Sequence, residues 1–174
     1  MFTVELKNEA VTAALTRLST QFDDMTPVMK GIGEILVAST QDRIKAGKSP
    51  DGSAFAPRSA TTLAIYERKK QSFGLPLYRN GDLYNQINSI AGSDFVEVGS
   101  TMIYAATQQF GAAKGSFGAY GGTDKNGRTF SGSAPWGNIP ARPFLGISEV
   151  DERDILAEIA KALSTAFGQQ PGRR

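Results

Sequence analysis

Apolar and polar residues alternate strictly at the start of the chain, with Phe2, Val4 and Leu6 on one face and Thr3, Glu5 and Lys7 on the other. That is the period of a half-buried strand. Asn8 and Glu9 suit a helix start. Val11, Leu15, Leu18 and Phe22 then make one helical stripe, which the pair Asp23-Asp24 should end. Thr26-Pro27 reads as a second helix start, a capping hydroxyl followed by proline at the first helical position. Val28, Ile32, Ile35, Leu36 and Ile44 carry its stripe to a stop at Gly47. Such a helix has about 20 residues and is about 30 Å long. Gly31 and Gly33 weaken its first turns, and close approach of a neighbouring backbone would explain them.

The middle of the chain is more broken. Pro50-Asp51-Gly52 combines the fixed φ, the local acceptor and the positive φ of a tight turn. Phe55-Ala56-Pro57 continues extended. Ser59 can cap a third helix through Leu63, Ile65 and Tyr66, ending in Glu67-Arg68-Lys69-Lys70, where cations suit the helix dipole. Leu75-Pro76-Leu77-Tyr78 should be extended, because Pro76 interrupts it. From Leu83 to Ser100 the pattern predicts a β-hairpin, with Ile87 and Ile90 before a turn at Ala91-Gly92-Ser93-Asp94 and Phe95-Val96-Glu97-Val98 after it. Residues 101–110 fit two periods. Ile103, Ala106 and Phe110 share a helical face, whereas Met102, Tyr104 and Ala106 alternate; a short helix is the preferred reading.

Residues 111–134 differ from all of this. Seven of these 24 residues are glycine, and most of the rest are small or polar. The expectation is a long flexible loop, since the stretch has little apolar surface to offset its ordering entropy. Phe117, Tyr120 and Phe130 lie within it, and exposed aromatics on such a loop suggest a partner that orders them. Trp136 to Phe144 is Pro-rich and extended. Ser148, with Asp151 three residues on, opens a last helix whose stripe is Ile155, Leu156, Ile159, Leu163 and Phe167, with Gly168 as its stop. The expected fold is α+β, with helices packed on a small antiparallel sheet, a long Gly-rich loop and a C-terminal helix. A single domain should span residues 1–168, with a disordered tail at 169–174.

Composition narrows the chemistry. The 174 residues include no His and no Cys. Disulfides, thiolate zinc sites, Cys nucleophiles, Ser-His-Asp triads and imidazole metal clusters are therefore excluded. No cofactor and no metal site are expected. Nineteen Lys+Arg against 17 Asp+Glu leave a formal charge of +2, too small to argue for nucleic-acid binding. Met1 to Glu5 does not resemble a signal peptide, and no run of 18 apolar residues is present, so the chain reads as a soluble cytoplasmic product with no membrane partner. Asp23-Asp24, Asp51 and Asp82 could in principle supply a carboxylate hydrolase, but each sits where a turn or helix end favours Asp. Arg68-Lys69-Lys70 and the terminal Arg173-Arg174 could meet phosphates, though solvated helix-end and tail charges explain them as well.

Four segments stand in a recognisable order. They are Ser49-Pro50-Asp51-Gly52 with Phe55 and Pro57; Leu77-Tyr78-Arg79-Asn80-Gly81-Asp82-Leu83; Val98-Gly99-Ser100 with Tyr104-Ala105 and Gln109-Phe110-Gly111; and Ile139-Pro140-Ala141-Arg142-Pro143-Phe144-Leu145-Gly146. Together they resemble the phage virion morphogenesis family, which includes protein G of Mu-like phages and tail completion proteins of contractile-tailed phages. Many members carry His where this chain has Gln108, and the 111–134 segment is longer than the family pattern leads one to expect.

The resemblance implies a non-enzymatic structural protein that completes the tail or neck and supports head–tail joining. It would work as a homo-oligomeric ring around the DNA path, located in the virion tail or neck after assembly in the host cytoplasm. Its implied partners are other copies of itself, phage tail and neck or connector proteins, and genome DNA passing through without sequence-specific binding. A capsid-side assembly factor absent from the mature particle is the alternative. Candidate interface or structural residues are Asp51, Gly52, Arg79, Gly81, Tyr104, Gln109, Phe110, Gly111, Phe117, Tyr120, Phe130, Trp136, Arg142, Pro143 and Phe144. Glycines 52, 81, 99 and 111 should mark tight turns. Arg142, between two prolines, could bind a carboxylate or a run of carbonyls through its planar fork.

Overall fold

The computed structural model describes residues 20, 23–133 and 138–168. The expected strand over 2–7, nearly all of the helix over 8–22, Trp136 and the tail over 169–174 lie outside the described residues. The described elements are α1 (Thr26–Ala46), α2 (Ala60–Arg68), α3 (Asp82–Asn85), β1 (Ile87–Ala91), β2 (Val96–Ser100), α4 (Ala105–Phe110), β3 (Ala119–Thr123), β4 (Thr129–Ser133) and α5 (Glu149–Gly168). The architecture is α+β, with strands in two two-stranded sheets, β1-β2 and β3-β4.

Contacts gather into two compact units. The first comprises Met1–Ala38, Asn88–Val98 and Glu149–Arg174. Its core is the apolar stripe Val28, Ile32 and Leu36 of α1, covered by Val96 and Val98 of β2 and by Ile155, Ile159 and Ala162 of α5. The i, i+4 spacing that predicts the helix is the spacing that fills this core. Asp24 marks the start of α1, where its Oδ1 accepts the N–H of Thr26 at 2.9 Å. The capping acceptor is therefore Asp24, while Thr26, the expected cap, is the first helical residue. The Thr26 hydroxyl, then its N–H, hold the Asp24 carboxyl below its ordinary pKa. At Gly33 an added Cβ would lie 2.8 Å from Ser89 Oγ and 3.1 Å from Val96 Cγ2. The close approach is real, but side chains of β1 and β2 make it, not backbone.

The second unit comprises Ser39–Ile87 and Gly99–Ser148. Ile44 and Phe144 are fully buried in it, with Phe55, Leu83, Ile87 and Ala105 close behind. Polar residues share this interior. Arg43, buried near the end of α1, donates from Nη1 to Ser39 Oγ (2.7 Å) and from Nη2 to Thr40 Oγ1 (3.0 Å) and the Gly146 carbonyl (2.9 Å). The pattern of apolar residues could not show this, because Thr40 and Arg43 occupy buried helical positions as hydrogen-bonded polar groups.

Four local expectations need correction. Residues 82–85 are helical, so the first hairpin starts at Ile87 rather than Leu83. Gly99 lies within β2 and is no turn residue. The segment 75–78 is a turn and not an extended run: Tyr78 N–H donates to the Leu75 carbonyl, and Leu77 takes φ 67°. The largest departure lies in residues 111–134, expected to be a structureless loop. There β3 and β4 form an antiparallel hairpin in which Gly122 faces Phe130 and Thr123 faces Thr129. Its turn is held by Asp124 Oδ1, which accepts the N–H groups of Asn126 (2.8 Å) and Arg128 (2.9 Å). Backbone ladder bonds and one Asp-centred turn order this stretch without a large apolar face. Among the described residues, no helix is long and apolar enough to cross a membrane.

Candidate assembly surface

Within the second unit Arg142 and Gln109 join three of the four segments singled out in the sequence, linking residues 56–57, 108–109 and 142–145. Pro140 and Pro143 have no N–H to donate, so the 138–146 segment cannot pair regularly with a strand. One short backbone bridge forms, between Ile139 and Ala112. A further backbone bond runs from the Arg142 N–H to the Gln108 carbonyl at 2.7 Å, and side chains supply the rest. The Gln109 amide oxygen accepts the N–H groups of Phe144 and Leu145, both at 3.0 Å, and its Nε2 donates to the Leu145 carbonyl at 3.1 Å. It bonds to this segment as an adjacent strand would.

Arg142, only 6 % exposed, reaches the other way. Its Nε donates to the Ala56 carbonyl (2.7 Å), Nη2 to the Pro57 carbonyl (2.9 Å) and Nη1 to Gln108 Oε1 (2.9 Å). The fork thus binds a run of carbonyls, one of the two roles its setting suggested. Burial, and to a lesser extent nearby Arg58, pull its pKa below the ordinary arginine value. Gln108 acts as an acceptor for this guanidinium. Gly111 closes α4 at φ 74° and ψ 179°, a backbone region open essentially to glycine. A Cβ there would lie 2.7 Å from the Ile139 carbonyl oxygen and 2.9 Å from Ala141 N.

Beside this frame lies a groove of about 890 Å³, bordered by α2, the 76–82 turn, α4 and residues 138–142. Ser59 caps α2 by accepting Thr62 N–H at 3.2 Å, which sets Arg58 at the groove's edge. Arg58 donates to the carbonyls of Gly74 and, at 2.6 Å, of Leu75. Its guanidinium and that of Arg79 lie over the Tyr66 ring, at 5.9 and 4.8 Å. Arg79 also donates to Gln71 Oε1 at 3.1 Å. Asp82 and Tyr104 complete the polar lining; burial, then the charge of Asp82, raises the Tyr104 pKa.

The chain matches the phage virion morphogenesis family over residues 6–164. It belongs to that family. Protein G of Escherichia phage Mu, named for capsid assembly, is 29 % identical over 157 residues, covering 90 % of each chain. The Mu-like prophage FluMu G protein 2 of Haemophilus influenzae is 28 % identical over 160 residues, covering 91 % of this chain and 94 % of its own. No solved structure matches.

In this family member the singled-out residues fall into distinct places. Gln109, Gly111, Arg142 and Phe144 build the frame, while Pro143 is exposed within it. Arg79 and Tyr104 line the groove. Gly52 and Gly81 both take positive φ, at 83° and 82°. Asp51 Oδ1 accepts the Ser53 hydroxyl (2.6 Å) and N–H (2.9 Å), which accounts for its presence in the turn. Phe110, Phe117 and Phe130 are exposed, and Tyr120 lies on β3. Sequence reasoning missed Arg58 and Tyr66 as groove residues. The signal available was the Ser59 cap, which fixes where the arginine just before it emerges.

Proposed function

We propose that this protein is a non-enzymatic structural part of the virion, completing the tail or neck and supporting head–tail joining as a homo-oligomeric ring around the DNA path. In this reading its partners are further copies of itself and phage tail and neck proteins. Genome DNA passes through without sequence-specific contacts, and the protein resides in the virion after assembly in the host cytoplasm. One observation carries the reading beyond family membership. Ile103, in the turn that leads into α4, is 99 % exposed, and Phe110, its last residue, is 79 % exposed; Gln108 and Gln109 anchor the helix between them. Large apolar side chains held outward on an anchored element are suited to burial against a neighbouring subunit. A closed ring needs one patch to meet a different patch on the next copy.

Native mass spectrometry of the purified chain, with cryo-electron microscopy of intact particles, tests the proposal. The expected result is a discrete closed oligomer and density for this chain at the tail or neck. A second reading is favoured by the name of the Mu relative, which refers to capsid assembly. On that reading the chain occurs in capsid assembly intermediates and is absent from purified virions. A protein that stays monomeric and never copurifies with particles or their precursors would refute both readings.

A further inference from the structure

We infer that the arginine-lined groove of one copy receives the acidic first turn of α5, residues 149–152, from the next copy. The inference rests on the ring reading and names its contact.

Arg58, Arg79 and Arg142 border the groove against a single carboxylate, Asp82. The acceptors of the three guanidinium groups are backbone carbonyls and glutamine side-chain oxygens. Among the described residues none of the three forms an ion pair, so the groove carries excess positive charge. Arg79 is the cation with donors to spare, since Gln71 engages only its Nη2. Held over Tyr66, its planar fork is set to receive a carboxylate.

The complementary feature is the start of α5. Glu149 and Glu152 lie one turn apart on the same side of the helix, and Asp154 follows, all exposed. Among the described residues none of their carboxylates has a partner. Exposed Ile147 and Val150 put apolar surface beside these acids. The groove offers matching apolar walls in Ile65, Tyr104 and Ile139. Groove and turn are different patches, so the contact is heterologous and can propagate around a ring. A run of nucleic-acid phosphates is the less favoured occupant, because the apolar walls suit a mixed acidic and apolar segment.

Charge reversal tests this on the full chain. Arg79→Glu and Glu152→Arg should each weaken self-association about tenfold or more in sedimentation experiments, with unchanged circular dichroism. The double variant should recover to within about threefold of wild type. Arg79→Gln, which keeps a polar side chain near Gln71, serves if the reversal unfolds the protein, and should also weaken association. Wild-type association in both arginine variants would overturn the groove and leave the ring standing. Failure of the double variant to recover would overturn this turn as the occupant. A wild-type chain that is monomeric up to about 1 mM would overturn the ring and the inference together. Binding of a labelled single-stranded DNA oligonucleotide that is lost in Arg79→Gln while the oligomer persists would assign the groove to nucleic acid and overturn the inference.

Discussion

Replacing Arg142 with methionine removes the guanidinium while keeping most of the side chain's length. Three well-formed hydrogen bonds disappear, to Ala56, Pro57 and Gln108, at 2.7, 2.9 and 2.9 Å. Each bond of this kind contributes about 1 kcal/mol net, and more when an acceptor is left buried and unpaired. Relief of arginine's desolvation offsets part of the loss. The variant should therefore lose about 3 kcal/mol. With a urea slope of about 2 kcal/mol per molar, the unfolding midpoint should fall by about 1.5 M. Lysine keeps the charge but cannot span both carbonyls and Gln108 together, so Arg142→Lys should still lose about 2 kcal/mol. Urea titrations followed by far-ultraviolet circular dichroism and by aromatic fluorescence would measure both variants, and agreement of the two probes would justify a two-state treatment. A lysine variant as stable as wild type would show that charge, not the fork, holds the segment. A methionine variant within about 0.3 M of the wild-type midpoint would refute the clamp altogether.

Other positions give sharper or simpler readouts. Gln109→Leu strands two N–H groups and one carbonyl of Phe144 and Leu145, and should lose about 2–3 kcal/mol in the same titration. Gly111→Val forces a β-branched residue into a glycine-only conformation and drives Cβ towards the Ile139 carbonyl; a loss of about 3 kcal/mol or more, or insoluble protein, is expected. Asp51 is held below its ordinary pKa of 3.8 by the Ser53 hydroxyl, then by the Ser53 N–H. Its contribution to stability is full above that value and is lost as pH falls through the lowered folded-state pKa. Asp51→Asn should therefore flatten the acid limb of melting temperature against pH, and an unchanged limb would count against the turn assignment. Ile103→Ser with Phe110→Ser should leave monomer stability within about 0.5 kcal/mol yet reduce infectious particles in complementation; normal particle yield would remove these side chains from the interface.

Where a helix carries an apolar stripe and a proper start and stop, the chain declares it in advance. Residues 26–46 and 149–168 show the stripe most fully, and the cap at Ser59 places α2. The first hairpin was visible through its turn, although its start was set too early. Ile87 is buried and Ile90 exposed, as their odd spacing along a strand requires. The second hairpin is hidden in the sequence because high glycine content signals lost burial. Turn chemistry pointed the other way, with Asp124 accepting from Asn126 and Arg128 and Gly127 at φ 76°. Opposite Gly122 the ring of Phe130 stands 3.2 Å from where a Cβ would be, so the aromatic covers the bare glycine backbone. For the candidate surface, the ordered segments single out Arg142, Gln109 and Gly111, but only the structure shows that they meet along residues 139–145. The groove was not legible, because it depends on α2 presenting Arg58 and Tyr66 beside residues far along the sequence.

The prolines that make the 139–146 segment recognisable also explain why its neighbours are what they are. Pro140 and Pro143 remove two donors, so the chain there cannot hold its place by strand pairing. A glutamine amide and an arginine fork take over, and each does so only in a fixed orientation. That fixation extends to α4, because Gln108 and Gln109 are successive residues of it and both are engaged. Ile103, in the turn before this helix, and Phe110, at its end, are therefore presented outward from an anchored element. A surface already ordered before contact loses less conformational entropy on association. The sequence had suggested the opposite route, with aromatics on a loose 111–134 loop ordered by their partner. With β3 and β4 paired before any partner arrives, the ordering cost there is already partly met in the free chain. Assembly is then gated less by folding on contact than by the fit of a preformed frame. On that argument, Gln109→Leu should weaken self-association through lost orientation of α4, even though its side chain is engaged within its own chain.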